Sequence, residues 1–320
     1  MNTYILFDKP QSENKSFISR ILNNDSIEIN SPKGRILLIS WLKGCLKVLL
    51  YSRRSDTIIC WYDFQAVLCW WICHLTFMRR KIVCINILLK DKSSLRNKIV
   101  SYLYKKSLLS SCFSASVTSV KYGEWLNKKL GIDAKYTLIH DVYHDSYRFE
   151  QAVDVIPNSV FCGGNNGRDW KFIIEVARKM PNIKFNIVMP HDIYLKYHSI
   201  FTKNMNVRYD IPYNEFMKEL CSSSIVCLPL DTQAPAGLIV MFQAAANLKP
   251  LITTKTVTTM EYINKERCII ISNELDVWVN SIKSCLENIE NSNKRALNFR
   301  DYLYCNCSEE IFVNGIKRML

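Results

Sequence analysis

The second half of this chain alternates short apolar runs with amphipathic segments of helical length, and few folds accept that rhythm. Ser159–Cys162, Lys184–Met189, Asn206–Tyr209, Ile225–Leu228, Pro250–Thr253 and Cys268–Ile271 have the length and apolar character of buried strands. Between them Asp169–Met180, Asn214–Ser222, Gly237–Asn247 and Leu275–Asn288 read as helices. Strands and helices in turn predict βα units and a parallel sheet covered on both faces, the α/β class. The first half has the same layout with weaker signals. Strands are expected at Tyr4–Phe7, Arg35–Ser40, Thr57–Trp61, Lys81–Ile87 and Ala115–Thr118, and helices at Asp63–Phe77, Ser93–Leu109 and Tyr122–Leu130. The stretch Ile36–Leu50 is open to either reading, because Lys43 and Lys47 lie four apart and would share a helical face.

A chain of 320 residues has room for two such domains. The polar stretch Asp141–Pro157 is the expected join, giving domains over 1–145 and 146–307. Within 308–320, Ile311, Phe312, Ile316, Met319 and Leu320 stand at helical spacing, as in a terminal helix docking back on the first domain. Two doubly wound domains facing across a cleft would present the carboxyl ends of their strands to it, where open α/β sheets bind ligands.

Charge divides unevenly along the chain. Residues 1–150 carry 23 Lys and Arg against 12 Asp and Glu, whereas residues 151–320 carry 19 against 17. The first half is built to meet something anionic. Cys60, Cys69, Cys73, Cys84 and Cys112 sit in apolar runs, where a free thiol acts as a small hydrophobe. No CxxC occurs, and the five histidines are scattered, so neither a disulfide framework nor a structural metal site is expected. The opening MNTYILFDKPQSENK lacks the regions of a signal peptide. The apolar stretch Ala66–Met78 is too short to span a bilayer. A reducing, cytoplasmic setting is expected, with at most a peripheral hold on a membrane.

Two loops could carry chemistry. In Phe161-Cys162-Gly163-Gly164-Asn165-Asn166-Gly167-Arg168-Asp169-Trp170, three of the nine glycines fall within five positions, between a strand and a helix. Glycines let backbone amides approach a phosphate, and Arg168 adds a charged fork. An ordinary turn in which Asp169 caps the helix is the alternative. The run is not GxGxxG, so a dinucleotide fingerprint is not supported. The second loop, Leu228-Pro229-Leu230-Asp231-Thr232-Gln233-Ala234-Pro235-Ala236-Gly237-Leu238, joins a strand to a helix expected to begin around Ala236. Small residues there leave the first-turn amides and the helix dipole open to an anion. An apolar helix with one Gln, a short turn and a buried strand follow.

The run PAGLIVMFQAAANLKPLI resembles the donor-site helix of GT-B glycosyltransferases of the retaining family-4 type, E-P-F-G-x-x-x-x-E-A-x-A-x-G-x-P-V-I. GGNNGRDWKFIIEVARKMPNIKFNIV resembles their phosphate loop and the βαβ unit after it, and Ile211–Phe216 with Cys221–Pro229 matches the segment before the donor helix. The resemblance covers residues 158–260 well and the first half in layout only. It implies a GT-B fold of two Rossmann-like domains and a nucleotide-diphosphate sugar held by the second. Gly163, Gly164 and Arg168 would approach the diphosphate with the amides of Ala236, Gly237 and Leu238. Gln243 would stand at the ribose in place of the family's second Glu, and Tyr213 would border the base. Ala234 or Pro235 stands where the first Glu is expected, Leu248 replaces the Gly before Lys-Pro, and Gly164 replaces the basic residue after the strand.

The implied reaction is retaining and metal-independent, with Arg168 and the amides offsetting the leaving diphosphate and no cofactor beyond the sugar donor. The first domain would receive the acceptor. Asp63, at a strand's carboxyl end, either positions an acceptor hydroxyl or caps the following helix. His74 is expected as a satisfied core residue, and His140-Asp141 borders the join. Arg53-Arg54, Arg79-Arg80-Lys81 and Lys105-Lys106 lie beside segments rich in Trp, which suits an anionic lipid surface at the inner face of a membrane and a lipid-linked or oligosaccharide acceptor. No nucleic-acid-binding motif accompanies them. The expected function is sugar transfer onto a surface glycan such as capsule or lipopolysaccharide. The alternative is a catalytically weak GT-B-like protein that binds glycan or membrane.

Overall fold

Two six-stranded parallel sheets organise the chain. The computed structural model describes residues 2–8, 17–22, 26–32, 36–89 and 95–320. Residues 1–142 and 309–320 form one compact unit, and residues 143–308 form the second. The first carries 24 Lys and Arg against 12 Asp and Glu, the second 18 against 17.

The first unit runs β1 (Thr3–Phe7), α1 (Phe17–Ile21), β2 (Ser26–Asn30), α2 (Leu37–Tyr51), β3 (Thr57–Cys60), α3 (Asp63–Leu75), β4 (Lys81–Cys84), α4 (Leu95–Leu108), β5 (Phe113–Val117), α5 (Val120–Leu130) and β6 (Thr137–Leu138). Its strand order is β2-β1-β3-β4-β5-β6, every pair parallel. On one face, Ile5, Phe7, Ile59, Val83 and Ile18 pack against Phe312, Val313, Ile316 and Met319 of α13 (Glu309–Lys317) and the residues after it. The other face is covered by a layer in which α2 touches α3 and α3 touches α4.

Two expectations are corrected here. The strand at Arg35–Ser40 does not form: α2 already begins at Leu37, while Arg35 lies outside the described residues. Helical spacing wins because Ser40, Gly44, Cys45, Val48 and Leu49 make one continuous buried stripe at 3.6-residue period. The helix expected at Ser93–Leu109 is α4, with Ser93 and Ser94 outside the described residues. His74 is not a core residue. It is exposed in the last turn of α3, its ring stacked on Trp70 at 4.9 Å.

The second unit runs β7 (Ile156–Gly163), α6 (Trp170–Lys179), β8 (Lys184–Met189), α7 (His191–Tyr197), β9 (Met205–Tyr209), α8 (Tyr213–Ser222), β10 (Ser223–Leu228), α9 (Leu238–Ala246), β11 (Leu251–Thr254), α10 (Thr259–Tyr262), β12 (Ile269–Ile271), α11 (Leu275–Glu287) and α12 (Ile289–Asn306). The order β12-β11-β10-β7-β8-β9 is again all parallel. Trp170, Ile173, Phe185, Trp278 and Ile282 form the core on one face of this sheet, and Phe161, Leu228, Met241, Phe242, Phe299 and Leu303 that on the other. Eight of the nine residues of α9 are buried, which is why this helix is apolar almost all round. The order reverses direction between β7 and β10, so the connections from these two strands leave in opposite senses and open a crevice at their carboxyl ends.

The thirteen cysteines are free thiols, eleven of them buried. Burial pushes the Cys84 and Cys227 thiols well above their ordinary range, as expected of core hydrophobes.

Candidate functional site

The loops that leave β7 and β10 meet at that crevice and are fastened to each other. Asp169 N–H donates to the Pro229 carbonyl at 3.0 Å, and Asp231 N–H donates to the Gly167 carbonyl at 3.1 Å, forming an antiparallel bridge between Arg168 and Leu230. Gly167, at φ 65°, allows this approach, since a Cβ there would come within 2.7 Å of Ala236 Cβ. Asp169 caps α6 by accepting from Phe172 N–H at 3.2 Å.

Arg168 sits at the centre, 5% exposed. Its Nε donates to the Gly163 carbonyl and its Nη1 to the Asn166 carbonyl, both at 2.9 Å. Nη2 donates to no described residue. A Cβ on Gly164 would stand 2.6 Å from Nη2, and one on Gly237 would stand 3.1 Å from Nη1. The guanidinium therefore lies between two glycines, one from each loop. Burial pulls its pKa down to about 10, with Asp231 and Cys162 opposing, so the group is still a cation at neutral pH. No described carboxylate is within salt-bridge distance of it. A buried cation held by carbonyls, with one nitrogen uncommitted, is arranged to receive an anion.

Helix α9 supplies the second half of the candidate site. Gly237 precedes it at φ 79°, and the first intrahelical bond runs from Met241 N–H to the Gly237 carbonyl at 2.9 Å. The amides of Leu238, Ile239 and Val240 thus have no acceptor within the helix. The sequence reading placed these donors at Ala236, Gly237 and Leu238. The left-handed Gly237 starts the helix later, and Ala236, buried, packs against Gly167 instead. Gly163 is also reassigned. It is the last residue of β7, wedged so that a Cβ would meet Phe161 and Phe216, and its carbonyl serves Arg168.

Gln243 and Tyr213, which the resemblance sets at the ribose and the base, lie next to each other. Gln243 is buried on α9, with Nε2 3.5 Å from the exposed Tyr213 hydroxyl and Oε1 without a hydrogen-bond partner. An unsatisfied buried amide oxygen is uncommon and suits a hydroxyl-bearing ligand.

Sequence reasoning missed the bracing behind the loops. Thr254 Oγ1 accepts from Leu230 N–H and donates to Asn273 Oδ1, while Asn273 Nδ2 reaches the Leu230 carbonyl. Thr258 donates to the Gln233 carbonyl, and Gln233 Oε1 accepts from Val257 N–H. The dense threonines of Thr253-Thr254-Lys255-Thr256-Val257-Thr258-Thr259 were the available signal.

Asp63 is corrected most. It is the first residue of α3 rather than its cap, and it is 3% exposed. Oδ1 accepts from Phe64 N–H and Oδ2 from Leu88 N–H, both at 2.8 Å, and the Tyr104 hydroxyl also reaches the carboxyl. Burial raises its pKa against these bonds. The carboxylate ties α3 to the segment after β4 and has no face left for an acceptor. Its neighbours are similarly engaged: Ser116 Oγ donates to Asn86 Oδ1, and Ser119 caps α5.

Among the described residues no group of three His, Cys, Asp or Glu side chains could hold a metal ion. No protein-family model matches the chain, and no curated protein matches it in sequence. Solved structures do match in fold. The complex of Anabaena Alr3699/HepE with UDP-glucose superposes with TM-score 0.75 at 12% identity, covering 99% of each chain. Sucrose-phosphate synthase from Thermosynechococcus elongatus gives 0.71 at 12% identity, over 92% of this chain and 82% of its own. WaaG, a glycosyltransferase involved in lipopolysaccharide biosynthesis, gives 0.67 at 12% identity, over 99% and 98%.

The fold is GT-B. Within this GT-B chain the loops around Arg168 and the start of α9 occupy the switch point of the second sheet, where open α/β sheets bind ligands.

Proposed function

We propose that this chain is a glycosyltransferase that binds a nucleotide-diphosphate sugar in its second unit and transfers the sugar to a glycan acceptor. One observation carries the reading: the buried Arg168 cation, its guanidinium between Gly164 and Gly237 with Nη2 free on the Gly164 side, beside the open amides of α9. Cation and amides together fit a diphosphate, whose charge rises when the bond to the sugar breaks. Gln243 Oε1 and the Tyr213 hydroxyl then face the nucleoside. The similar Alr3699/HepE has been solved with UDP-glucose and with UDP and glucose, which supports this choice of donor class.

Retention of anomeric configuration and independence from metal belong to the same proposal. Arg168 and the α9 amides supply the charge stabilisation, and Asp63 is not its base. The acceptor is proposed to be lipid-linked, in surface polysaccharide synthesis at the inner face of the cell membrane, in keeping with the similarity to WaaG. No helix among the described residues is long and apolar enough to cross a membrane.

A second reading has one observation in its favour. Ala234 or Pro235 stands where the resembled family has its first Glu, and neither side chain offers the sugar a carboxylate. A GT-B-like binding protein with little turnover would tolerate this. Calorimetry against UDP, GDP and their sugars, followed by mass spectrometry for released or transferred sugar, separates the readings. Tight binding with turnover supports the transferase, binding without turnover supports the second reading, and no binding at millimolar nucleotide refutes the transferase.

A further inference from the structure

The outer surface of the layer α2–α3–α4 does not have the composition of a face turned to water. Helix α2 buries one stripe against the sheet, so its opposite stripe should be polar. Instead Ile39, Leu46 and Leu50 stand outward with Leu37 and Leu38, and Leu50 is 84% exposed. Only Lys43 and Lys47 interrupt them. After α3 the chain turns through Phe77 and Met78. Phe77 is 93% exposed at φ 56°, a conformation unfavourable for an aromatic residue. Along α4, Ile99 and Tyr102 are exposed in the same way, between Lys98 and Lys106.

The charges beside these apolar groups have one sign. Arg53 and Arg54 follow α2, and Arg79 follows Met78, all exposed. From Ile36 to Leu89 the only acidic residues are Asp56 and Asp63, and both are buried. Helix α4 has none over Leu95–Leu108. An apolar surface rimmed by lysine and arginine with no exposed acid repels a second copy of itself. It complements an anionic bilayer, where the apolar side chains leave water and the cations meet head groups.

We propose that this layer is a bilayer-docking face. Leu46, Leu50 and Phe77 enter the boundary of the acyl chains, and Lys43, Lys47, Arg53, Arg54 and Arg79 bind the head groups of anionic lipids. This deepens the lipid-linked acceptor reading and rests on it for the reaction served, while the surface itself is read without sugar chemistry.

Flotation with vesicles of phosphatidylglycerol and phosphatidylcholine tests it. The wild-type chain should float with these vesicles and stay behind with phosphatidylcholine alone. The double variant L46E/L50E, and separately Phe77→Ser, should each lower the bound fraction about tenfold at unchanged Tm. K43E/K47E should remove most of the salt-sensitive part of binding. Equal flotation of wild type and L46E/L50E would overturn the proposal, as would equal binding to neutral vesicles. A wild-type dimer in sedimentation equilibrium that L46E/L50E dissociates, with flotation unaffected, would assign the face to a second copy instead. Calorimetry of UDP on L46E/L50E keeps the proposals separable: donor binding should be unchanged, so loss of docking leaves the donor site standing. Docking by a chain that binds no nucleotide would refute only the transferase.

Discussion

The carboxyl edges of the two sheets are put to different uses. In the first sheet, Asp63, Asn86 and Ser119 stand just beyond strand ends, where the Asp63 carboxylate, the Asn86 Oδ1 and the Ser119 hydroxyl each accept from a neighbouring amide or hydroxyl. In the second, the strand ends leave donors open: Nη2 of Arg168 and the first amides of α9. The unit with almost balanced charge therefore holds the concentrated candidate anion site, while the strongly basic unit spreads its charge over the outside of its helices. Recognition of a diphosphate depends on where a few donors point; attraction to a surface depends on the sum of many charges.

The contrast can be broken in four ways. The largest effect should come from Phe312→Ala, which empties a site packed by Phe17 and Trp61 with ring centroids 6.0 Å away. A loss of about 3–5 kcal/mol is expected in the first unit. Trp61 fluorescence during denaturation should report it, with nucleotide affinity of the second unit retained. If nucleotide binding collapsed as well, the units would not be independent.

Arg168→Ala should weaken nucleoside diphosphate binding by about 1.5–3 kcal/mol, ten- to a hundredfold by calorimetry. Because the free protein's Arg168 has its pKa pulled down to about 10, wild-type affinity should also fall as pH rises through that value. The Ala variant should lack this step. An unchanged affinity would remove Arg168 from the site.

Asp63→Asn should lower stability by about 1–3 kcal/mol, since an amide cannot accept at both of its ends. Nucleotide affinity should not move. The sign with pH follows from burial: a raised pKa means that the contribution of Asp63 is greatest below the ordinary carboxylate range and is lost as pH rises through the raised value. The deficit of the Asn variant should therefore shrink from acid toward neutral pH in thermal scans.

Gln243→Leu should have the smallest effect. It removes an unsatisfied Oε1, so the free protein should keep or slightly raise its Tm. Nucleoside diphosphate affinity should drop by about 1 kcal/mol if that oxygen meets a ligand hydroxyl. No drop would separate Gln243 from the nucleoside.

The second unit was legible because its central strands are buried on both faces and so read as mostly apolar runs; Lys184–Met189 is recovered at both ends. The glycine loop was legible for a local reason, three glycines in five positions. The first unit was harder. Helix α2 is apolar on its outer side as well as its inner one, which erased the amphipathic contrast and left a strand as a plausible reading. Strand β2 was missed because it is an edge strand with Ile27 exposed and Glu28 within it. The role of Asp63 was hidden for another reason. Nothing near it in sequence announces that Leu88 and Tyr104 converge on its carboxyl. The same holds for Asn273, which braces Leu230 from 43 residues away.

The return of α13 to the first unit bears on how the protein is made. The second unit is one continuous stretch, complete once residue 308 has left the ribosome. The first unit, although begun earlier, lacks one wall of its core until Phe312, Val313, Ile316 and Met319 follow. Synthesis therefore finishes the later domain first, and Ile5, Phe7 and Ile59 wait uncovered for most of translation, the interval in which this chain is most open to chaperones and to aggregation.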